Sequence, residues 1–225
     1  MINYLNIIDL IVLSFILFGP ALYSSLKATK SELCDFNDVC EFSSKENISA
    51  FIMQFVQLFL AIIYLRFRGI EPFCFKFDIS LIATIHALLL FFVFGFCMDV
   101  ITSLKCGFKW IPKLLKNNIP ILSALQDIDF TIVLISILNG FYEEFFFLAI
   151  LSYVEPKYTV IALIIMLIVR VLIHTYQGWS VALFIGLGIG LIHYLLFAHY
   201  CDNLFIYVLS HILSDLFGLS FINLI

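Results

Sequence analysis

Seven apolar segments follow one another along this chain, and each is close to the length that a helix needs to cross a lipid bilayer. The hydrocarbon core takes about 20 residues of α-helix to span. The segments lie at 4–24, 49–66, 79–102, 128–151, 158–177, 180–200 and 203–222. We therefore predict an all-α, polytopic membrane protein with seven transmembrane helices, or eight if one more helix crosses between the third and fourth segments.

The stretch 105–121, between the third and fourth segments, carries a different pattern. Four lysines alternate there with Trp110 and leucines, which is typical of a helix that lies along the membrane surface. We predict a single integral membrane domain over residues 1–225, with N-terminal spans and this surface helix in 1–127 and a further group of spans in 128–222.

Composition supports the membrane prediction and excludes other classes of protein. Hydrophobic residues make up 63% of the chain and charged residues 12%, against roughly 45–50% and about 25% in soluble domains. The net charge is −4 and there is no long basic run, so the chain lacks the electrostatic signature of a nucleic-acid-binding protein. The lipid bilayer is the expected environment, and we predict a multi-pass protein of the cell (inner or plasma) membrane.

Ionisable and polar residues occur near the middle of four predicted spans. An intramembrane charge costs at least ~2.5–3.5 kcal/mol on insertion scales, so such residues suggest function. Three pairs stand four residues apart, which places each pair on one helix face: Asn139 with Glu143, Arg170 with His174, and His211 with Asp215. Glu144 comes directly after the first pair, whereas His193 has no such partner and is interpreted as a packing residue. The simplest way to hide three polar stripes from lipid is a shared site.

The residue types in these stripes suit hydrolysis. A carboxylate in a partly dry cavity can act as a general base that activates water. Imidazole and carboxylate are also standard zinc ligands, and an open fourth position would hold the attacking water. If a metal is present, the predicted ligands are Glu143, His174 and His211. The residues leave both a zinc centre and a metal-free glutamate centre open.

The three motifs, in this order, resemble those of the type II CAAX prenyl endopeptidase and bacteriocin-processing (CPBP) intramembrane proteases. That family has EExxxR on one helix, FxxxH on the next and HxxxN or HxxxD on a later one. This chain reads EEFFFL at 143–148, RVLIH at 170–174 and HILSD at 211–215. The resemblance covers about 128–222 and implies a four-helix catalytic core there.

By this resemblance the protein is expected to hydrolyse a peptide bond in a membrane-associated peptide or protein, prenylated or not. Glu143 would be the base that activates water together with His174, and Glu144 would support the site. His211 and Asp215 would stabilise the oxyanion. Members of the family have been described both as metalloproteases and as metal-independent glutamate proteases.

Two positions depart from the family pattern. Leu148 stands where the motif has arginine, and Arg170 stands where it has phenylalanine. We hypothesise that Arg170, on the neighbouring helix, supplies the guanidinium that relatives place at position 148. Arg170 is therefore predicted as a supporting residue. Asn139, on the same helix face as Glu143, is predicted as a second supporting residue.

Two other functions remain open from the sequence. A catalytically silent relative would act by binding, as an immunity or scaffold protein does, and Leu148 is the feature that favours it. A proton- or ion-coupled transporter would also use intramembrane acids and histidines. It is expected to have inverted repeats or paired broken helices, and the sequence displays neither.

Overall fold

The computed structural model describes residues 4–28, 43–106 and 129–218, without the side chains of 102–106. Besides two short 3₁₀ turns, these segments form seven helices, which are α1 Ile7–Lys27, α2 Ser44–Phe67, α3 Leu81–Cys106, α4 Phe130–Ile150, α5 Thr159–Ile173, α6 Trp179–His199 and α7 Leu204–Phe217. Within α4 and α6, the segments Phe145–Ile150 and Phe184–Ile189 have π-helical hydrogen bonding.

The helices confirm the prediction of an all-α, polytopic membrane protein. Six of the described helices, α1 to α6, are long and apolar enough to cross a membrane, α5 together with the 3₁₀ turn before it. The seventh, α7, is apolar but has 14 residues. Most of the predicted surface helix at 105–121, and with it the alternative of an eighth span, lies outside the described residues. The single domain over 1–225 stays a prediction.

Side-chain caps explain where α1 and α4 begin. At α1 the backbone N–H of Asp9 donates to Asn6 Oδ1 at 3.0 Å, and the N–H of Asn6 donates back to Asp9 Oδ2 at 2.9 Å, which forms a capping box. At α4 the N–H of Thr131 donates to Asp129 Oδ1 at 3.1 Å. The Ser44 hydroxyl also donates to Asp129, and these hydrogen bonds hold the pKa of Asp129 below its usual value. Both caps satisfy N–H groups that a helix leaves open at its first turn.

The described residues form two compact units. The first consists of α1, α2 from Ile52, α4 from Tyr142, and α5 and α6. The second consists of the start of α2, α3, α4 as far as Phe141, and α7 from Phe205. The boundary on α4 therefore falls between Phe141 and Tyr142, with one residue, Tyr142, between it and the glutamate pair.

Aromatic rings fill the core of the first unit. Phe18 of α1 makes edge contacts with Tyr142 and Phe146 and stacks on Phe147, with ring centroids 5.0 to 5.3 Å apart. Such pairs add about 0.5–1.5 kcal/mol beyond the burial of their area. The α1 residues around Phe18 are also buried, namely Leu10, Leu13 and Leu17. The chain on both sides of Glu143 and Glu144 is thus anchored on α1.

A tight turn joins α5 to α6. His174 caps α5, the 3₁₀ turn Thr175–Gln177 comes next, and Gly178 has a φ of 93°, a backbone conformation that favours glycine. The N–H of Tyr176 donates to Ser25 Oγ at 3.1 Å. Ser25 lies on α1, so this hydrogen bond attaches the turn to that helix.

Gly186 and Gly190 let α6 approach α5 closely, in agreement with the packing that a GxxxG step favours. A Cβ on Gly186 would lie 2.6 Å from the backbone of Val171. A Cβ on Gly190 would lie 3.3 Å from Cδ of Arg170. The spacing of the two helices at Arg170 therefore depends on these glycines.

Gly186→Ala is expected to destabilise the protein, because the added methyl group meets backbone atoms that cannot rotate away. Overpacking of this kind costs about 1–3 kcal/mol, and sometimes more. Thermal unfolding of the purified protein in detergent measures the effect. Gly19→Ala is the matched control, since a Cβ at Gly19 has nothing within 4 Å. Equal unfolding temperatures for the two variants would contradict the close approach.

Candidate active site

Glu143 and Glu144 lie at the end of the regular α-helical part of α4, and both are buried. Glu143 is 6% exposed and Glu144 0%. The π-helical segment begins at the next residue, Phe145. Segments of this kind occur frequently at functional sites. The glutamates therefore stand where the hydrogen bonding of the helix changes.

Glu144 forms a buried ion pair with Arg170 of α5. Arg170 Nη2 donates to Glu144 Oε1 at 2.6 Å, and Nη1 lies 3.5 Å from Oε2. The two side chains are 2% and 0% exposed. A guanidinium matches a carboxylate in this parallel, two-point manner better than any other side chain. Each member of the pair thus offsets part of the cost of burying the other's charge.

Arg170 is held by more than the ion pair. Its guanidinium lies over the ring of Phe147, with Cζ 5.0 Å from the ring centroid, a distance at which a cation is attracted to an aromatic face. Leu148 is buried in the same π-helical segment and is 2% exposed. The ion pair that the relocation hypothesis requires is thus present, while the catalytic equivalence of Arg170 to the family arginine stays a prediction.

His193 of α6 also contacts Glu144, and its interpretation as a simple packing residue is wrong. His193 Nδ1 lies 3.4 Å from Glu144 Oε2, and the residue is 1% exposed. Helices α4, α5 and α6 thus each contribute one member of a buried cluster: Glu144, Arg170 and His193. The available signal was the presence of an ionisable residue inside a span, but no motif or i,i+4 partner identified its contact.

His174 has one ring nitrogen assigned by its hydrogen bond. Nδ1 lies 2.8 Å from the backbone carbonyl oxygen of Arg170. Because a carbonyl can only accept, Nδ1 carries the proton, and in a neutral ring Nε2 is then the basic nitrogen. The residue is 8% exposed. This contact fixes the tautomer and the orientation of the ring.

The second unit contains the other predicted site residues. Asn139 Nδ2 of α4 donates to Asp215 Oδ2 of α7 at 2.9 Å. His211 Nε2 lies 3.6 Å from Asp215 Oδ1, one turn away on the same helix. Close packing brings the helices together here, because a Cβ on Gly140 would lie 3.2 Å from the backbone nitrogen of Ile212. Asp215 therefore lies between an amide donor and an imidazole.

Tyr142, one residue before the glutamate pair, connects α4 to the N-terminal helices. Its hydroxyl donates to the backbone carbonyl of Leu17 and lies 3.2 Å from Gln57 Oε1. No sequence motif pointed to Tyr142. Helices outside the motif region thus contribute to the placement of Glu143.

The predicted site residues divide between the two units. The first unit holds Glu143, Glu144, Arg170 and His174, and the second holds Asn139, His211 and Asp215. A single site shared by all three polar pairs stays a prediction. In neither unit do the described residues form a group of three or more His, Cys, Asp or Glu side chains that could hold a metal ion. The proposed zinc ligands Glu143, His174 and His211 come from both units, so this ligand set also stays a prediction.

These observations define a class of protein: an all-helical, multi-pass membrane protein with acids, histidines and an arginine buried inside its helices. Residues 127–217, 91 of the 225, match the family model described as type II CAAX prenyl endopeptidase Rce1-like. The match confirms the resemblance that the three motifs carry, and it covers all of the predicted site residues. Neither a curated protein nor a solved structure matches the chain.

Proposed function

We propose that this protein is an intramembrane endopeptidase of the CAAX type. Its substrate would be a membrane-associated peptide or protein, prenylated or not, in the cell membrane. The family match over residues 127–217 supports the peptidase class. The observation that carries the assignment of roles is the buried ion pair between Glu144 and Arg170.

The ion pair separates the roles of the two neighbouring glutamates. Arg170 contributes one positive charge, and its guanidinium is directed at Glu144. An ion-paired, fully buried carboxylate is a poor base, because its charged form is already stabilised. Glu144 is therefore the supporting residue, and Glu143 is the candidate base. This division agrees with the roles that the family resemblance assigns.

The proposed reaction begins with the Glu143 carboxylate, which takes a proton from water as the water oxygen attacks the carbonyl carbon of the peptide bond. The attack gives a tetrahedral intermediate with a negative oxygen. The proton then passes to the departing nitrogen, the C–N bond breaks, and a carboxylic acid and an amine are released. His174, with Nδ1 bound to a carbonyl, would present Nε2 to the water or to the proton in transit.

His211 and Asp215 are proposed to act on the oxyanion. A doubly protonated His211 can donate from Nδ1 to a negative oxygen while its Nε2 faces Asp215, whereas an ionised Asp215 can only accept. Asp215 accepts from Asn139 and lies beside His211. Asp215 would therefore orient His211 rather than contact the substrate, in the way that a carboxylate orients a catalytic histidine.

The test is the cleavage of a mixed panel of prenylated and unprenylated membrane peptides by the purified protein. Wild type is compared with His174→Ala, with and without a chelator. His199→Ala is the matched control, because His199 is exposed at the end of α6. We expect wild type and His199→Ala to cleave at least one peptide and His174→Ala to lose this activity. Sensitivity to the chelator would assign a zinc centre, and insensitivity a glutamate base.

A folded wild-type protein that leaves every peptide intact would contradict the proposal. It would favour the catalytically silent relative, for which Leu148 in place of the motif arginine is the supporting feature. Binding of the same peptides without cleavage would then be the expected behaviour.

A further inference from the structure

Arg170 of α5 and His193 of α6 both contact Glu144. Arg170 stands at a position of the family motif, whereas His193 does not. Arg170 of α5 binds Oε1 closely, with Nη2 at 2.6 Å. Oε2 has two longer contacts: Arg170 Nη1 at 3.5 Å and His193 Nδ1 of α6 at 3.4 Å. A carboxylate has room for about four hydrogen bonds. The contact from His193 is therefore additional to the ion pair and does not compete with it.

The geometry determines which form of His193 makes this contact. The ionised carboxylate of Glu144 can only accept a hydrogen bond, so Nδ1 must carry the proton. His193 is 1% exposed and Glu144 is 0% exposed, so water does not readily replace either partner. A hydrogen bond to a charged group in such a place contributes more than one at a surface.

The sequence of α6 places His193 for this contact. Gly190 lies three residues earlier and therefore on the same helix face. A Cβ on Gly190 would lie 3.3 Å from Cδ of Arg170, so the glycine lets α6 approach Arg170 closely. The glycine and the histidine thus bring α6 against both members of the ion pair. A packing role alone would need an apolar side chain here, since burying an imidazole without a polar partner is costly.

The contact matters because of the residues on either side of Glu144 in the chain. The π-helical segment Phe145–Ile150 begins at the next residue, and the proposed base Glu143 is the residue before. Glu144 thus lies where α-helical hydrogen bonding gives way to π-helical hydrogen bonding within one continuous helix. Restraining the Glu144 carboxylate from α5 and α6 restrains Glu143 as well.

We propose that His193 is a positioning residue that donates a hydrogen bond from Nδ1 to Glu144. Together with Arg170 it fixes the orientation of the last α-helical turn of α4, which contains Glu143. The effect of His193 on Glu143 as a base rests on the proposed peptidase function. The contact itself can be tested without any catalytic activity.

The kinetic test compares His193→Leu, His193→Asn and His193→Gln. The amide nitrogen of asparagine takes the place of Nδ1, whereas that of glutamine reaches the place of Nε2. Loss of a hydrogen-bond partner behind a metal ligand typically lowers activity about 10–100-fold, and by analogy we expect a fall of this order in kcat for Leu and Gln with little change in KM. Asparagine is expected to restore most of the wild-type kcat, since it keeps a donor at this position. His199→Asn, at an exposed histidine, is the control.

The second test is the ¹⁵N NMR spectrum of histidine-labelled wild type, in which the signals of His193 are assigned by their loss in His193→Asn. We expect a protonated, hydrogen-bonded Nδ1. An Nδ1 without a proton, or equal kcat for the Asn and Leu variants, would overturn the proposal. If no peptide is cleaved by wild type, the peptidase function fails, and the spectrum still decides whether His193 donates to Glu144.

Discussion

Glu143→Gln is expected to abolish peptide cleavage while leaving the protein folded. Glutamine has nearly the same size and can keep hydrogen bonds, but it cannot take a proton from water. Removal of a general base lowers the rate by about 10²- to 10⁴-fold. We expect the loss in kcat, with KM changed little, since Glu143 is proposed to act on the water and not on the peptide. Steady-state kinetics with the best peptide of the panel measure both values.

The neighbouring glutamate provides a contrast with the same chemical change. Glu144→Gln removes the charge that balances buried Arg170, so its main expected effect is a lower stability, measured by thermal unfolding. Glu155→Gln is a control for the loss of a carboxylate, because Glu155 pairs with Lys157 at a more exposed position. A Glu143→Gln protein that keeps most of the wild-type kcat would contradict the assignment of Glu143 as the base.

The spans could be predicted from the sequence because the length of an apolar run is a local property. The bilayer sets that length, and every described helix lies within or close to a predicted segment. Helix α7 is shorter than its predicted segment: it has 14 residues, Leu204–Phe217, whereas the predicted span is 203–222. Residues 219–225 lie outside the described residues, so the predicted end of this span stays a prediction.

The spacing of residues along a helix is also a local property, so the polar pairs could be predicted from the sequence. Their periodicity did not predict which residues on other helices they contact. A spacing of four residues places Arg170 with His174, and the hydrogen bond from His174 Nδ1 to the Arg170 carbonyl agrees with that spacing. The ion pair between Arg170 and Glu144 joins residues 26 positions apart on two helices. The tertiary structure decides that contact, and the hypothesis for it came from the exchanged motif positions, not from periodicity.

The cluster around Glu144 also contains features without a signal in the sequence. The π-helical segments depart from the 3.6-residue period on which face assignments depend. His193 has no i,i+4 partner, so its contact with Glu144 depends on Gly190 and the approach of α6. The hydrogen bond from Tyr142 to Leu17 joins residues 125 positions apart. These contacts arise from tertiary packing, which the sequence pattern does not encode locally.

Arg170→Phe is expected to have the largest effect on stability of the changes considered. Phenylalanine is the family residue at this position, but here it leaves the fully buried Glu144 carboxylate without its cation. Breaking a buried ion pair by removing one partner costs about 3–5 kcal/mol. We expect a large fall in the unfolding temperature together with the loss of peptide cleavage, both measured in the same detergent preparation.

The double variant, Leu148→Arg with Arg170→Phe, tests whether the guanidinium has been relocated. It restores the family residue at both positions and moves the charge from α5 to α4, four residues after Glu144. We expect it to regain both the stability and the cleavage that Arg170→Phe loses. Leu148→Arg alone is the matched control, and it should destabilise the protein, because it adds a second guanidinium beside an ion pair that is already balanced. The four proteins form a double-mutant cycle, in which coupling between positions 148 and 170 is measured directly.

The two readouts of this cycle separate the catalytic from the structural role of Arg170. Recovery of both stability and cleavage requires only that a guanidinium binds Glu144, whichever helix supplies it, and this is the relocation hypothesis. Recovery of stability without cleavage would mean that the ion pair holds the helices together while Arg170 is needed at its own position, which contradicts the hypothesis. Recovery of neither would mean that an arginine at position 148 does not reach Glu144. Because His193 binds the same carboxylate from α6, its Nδ1 signal in the double variant reports independently whether Glu144 has kept its orientation.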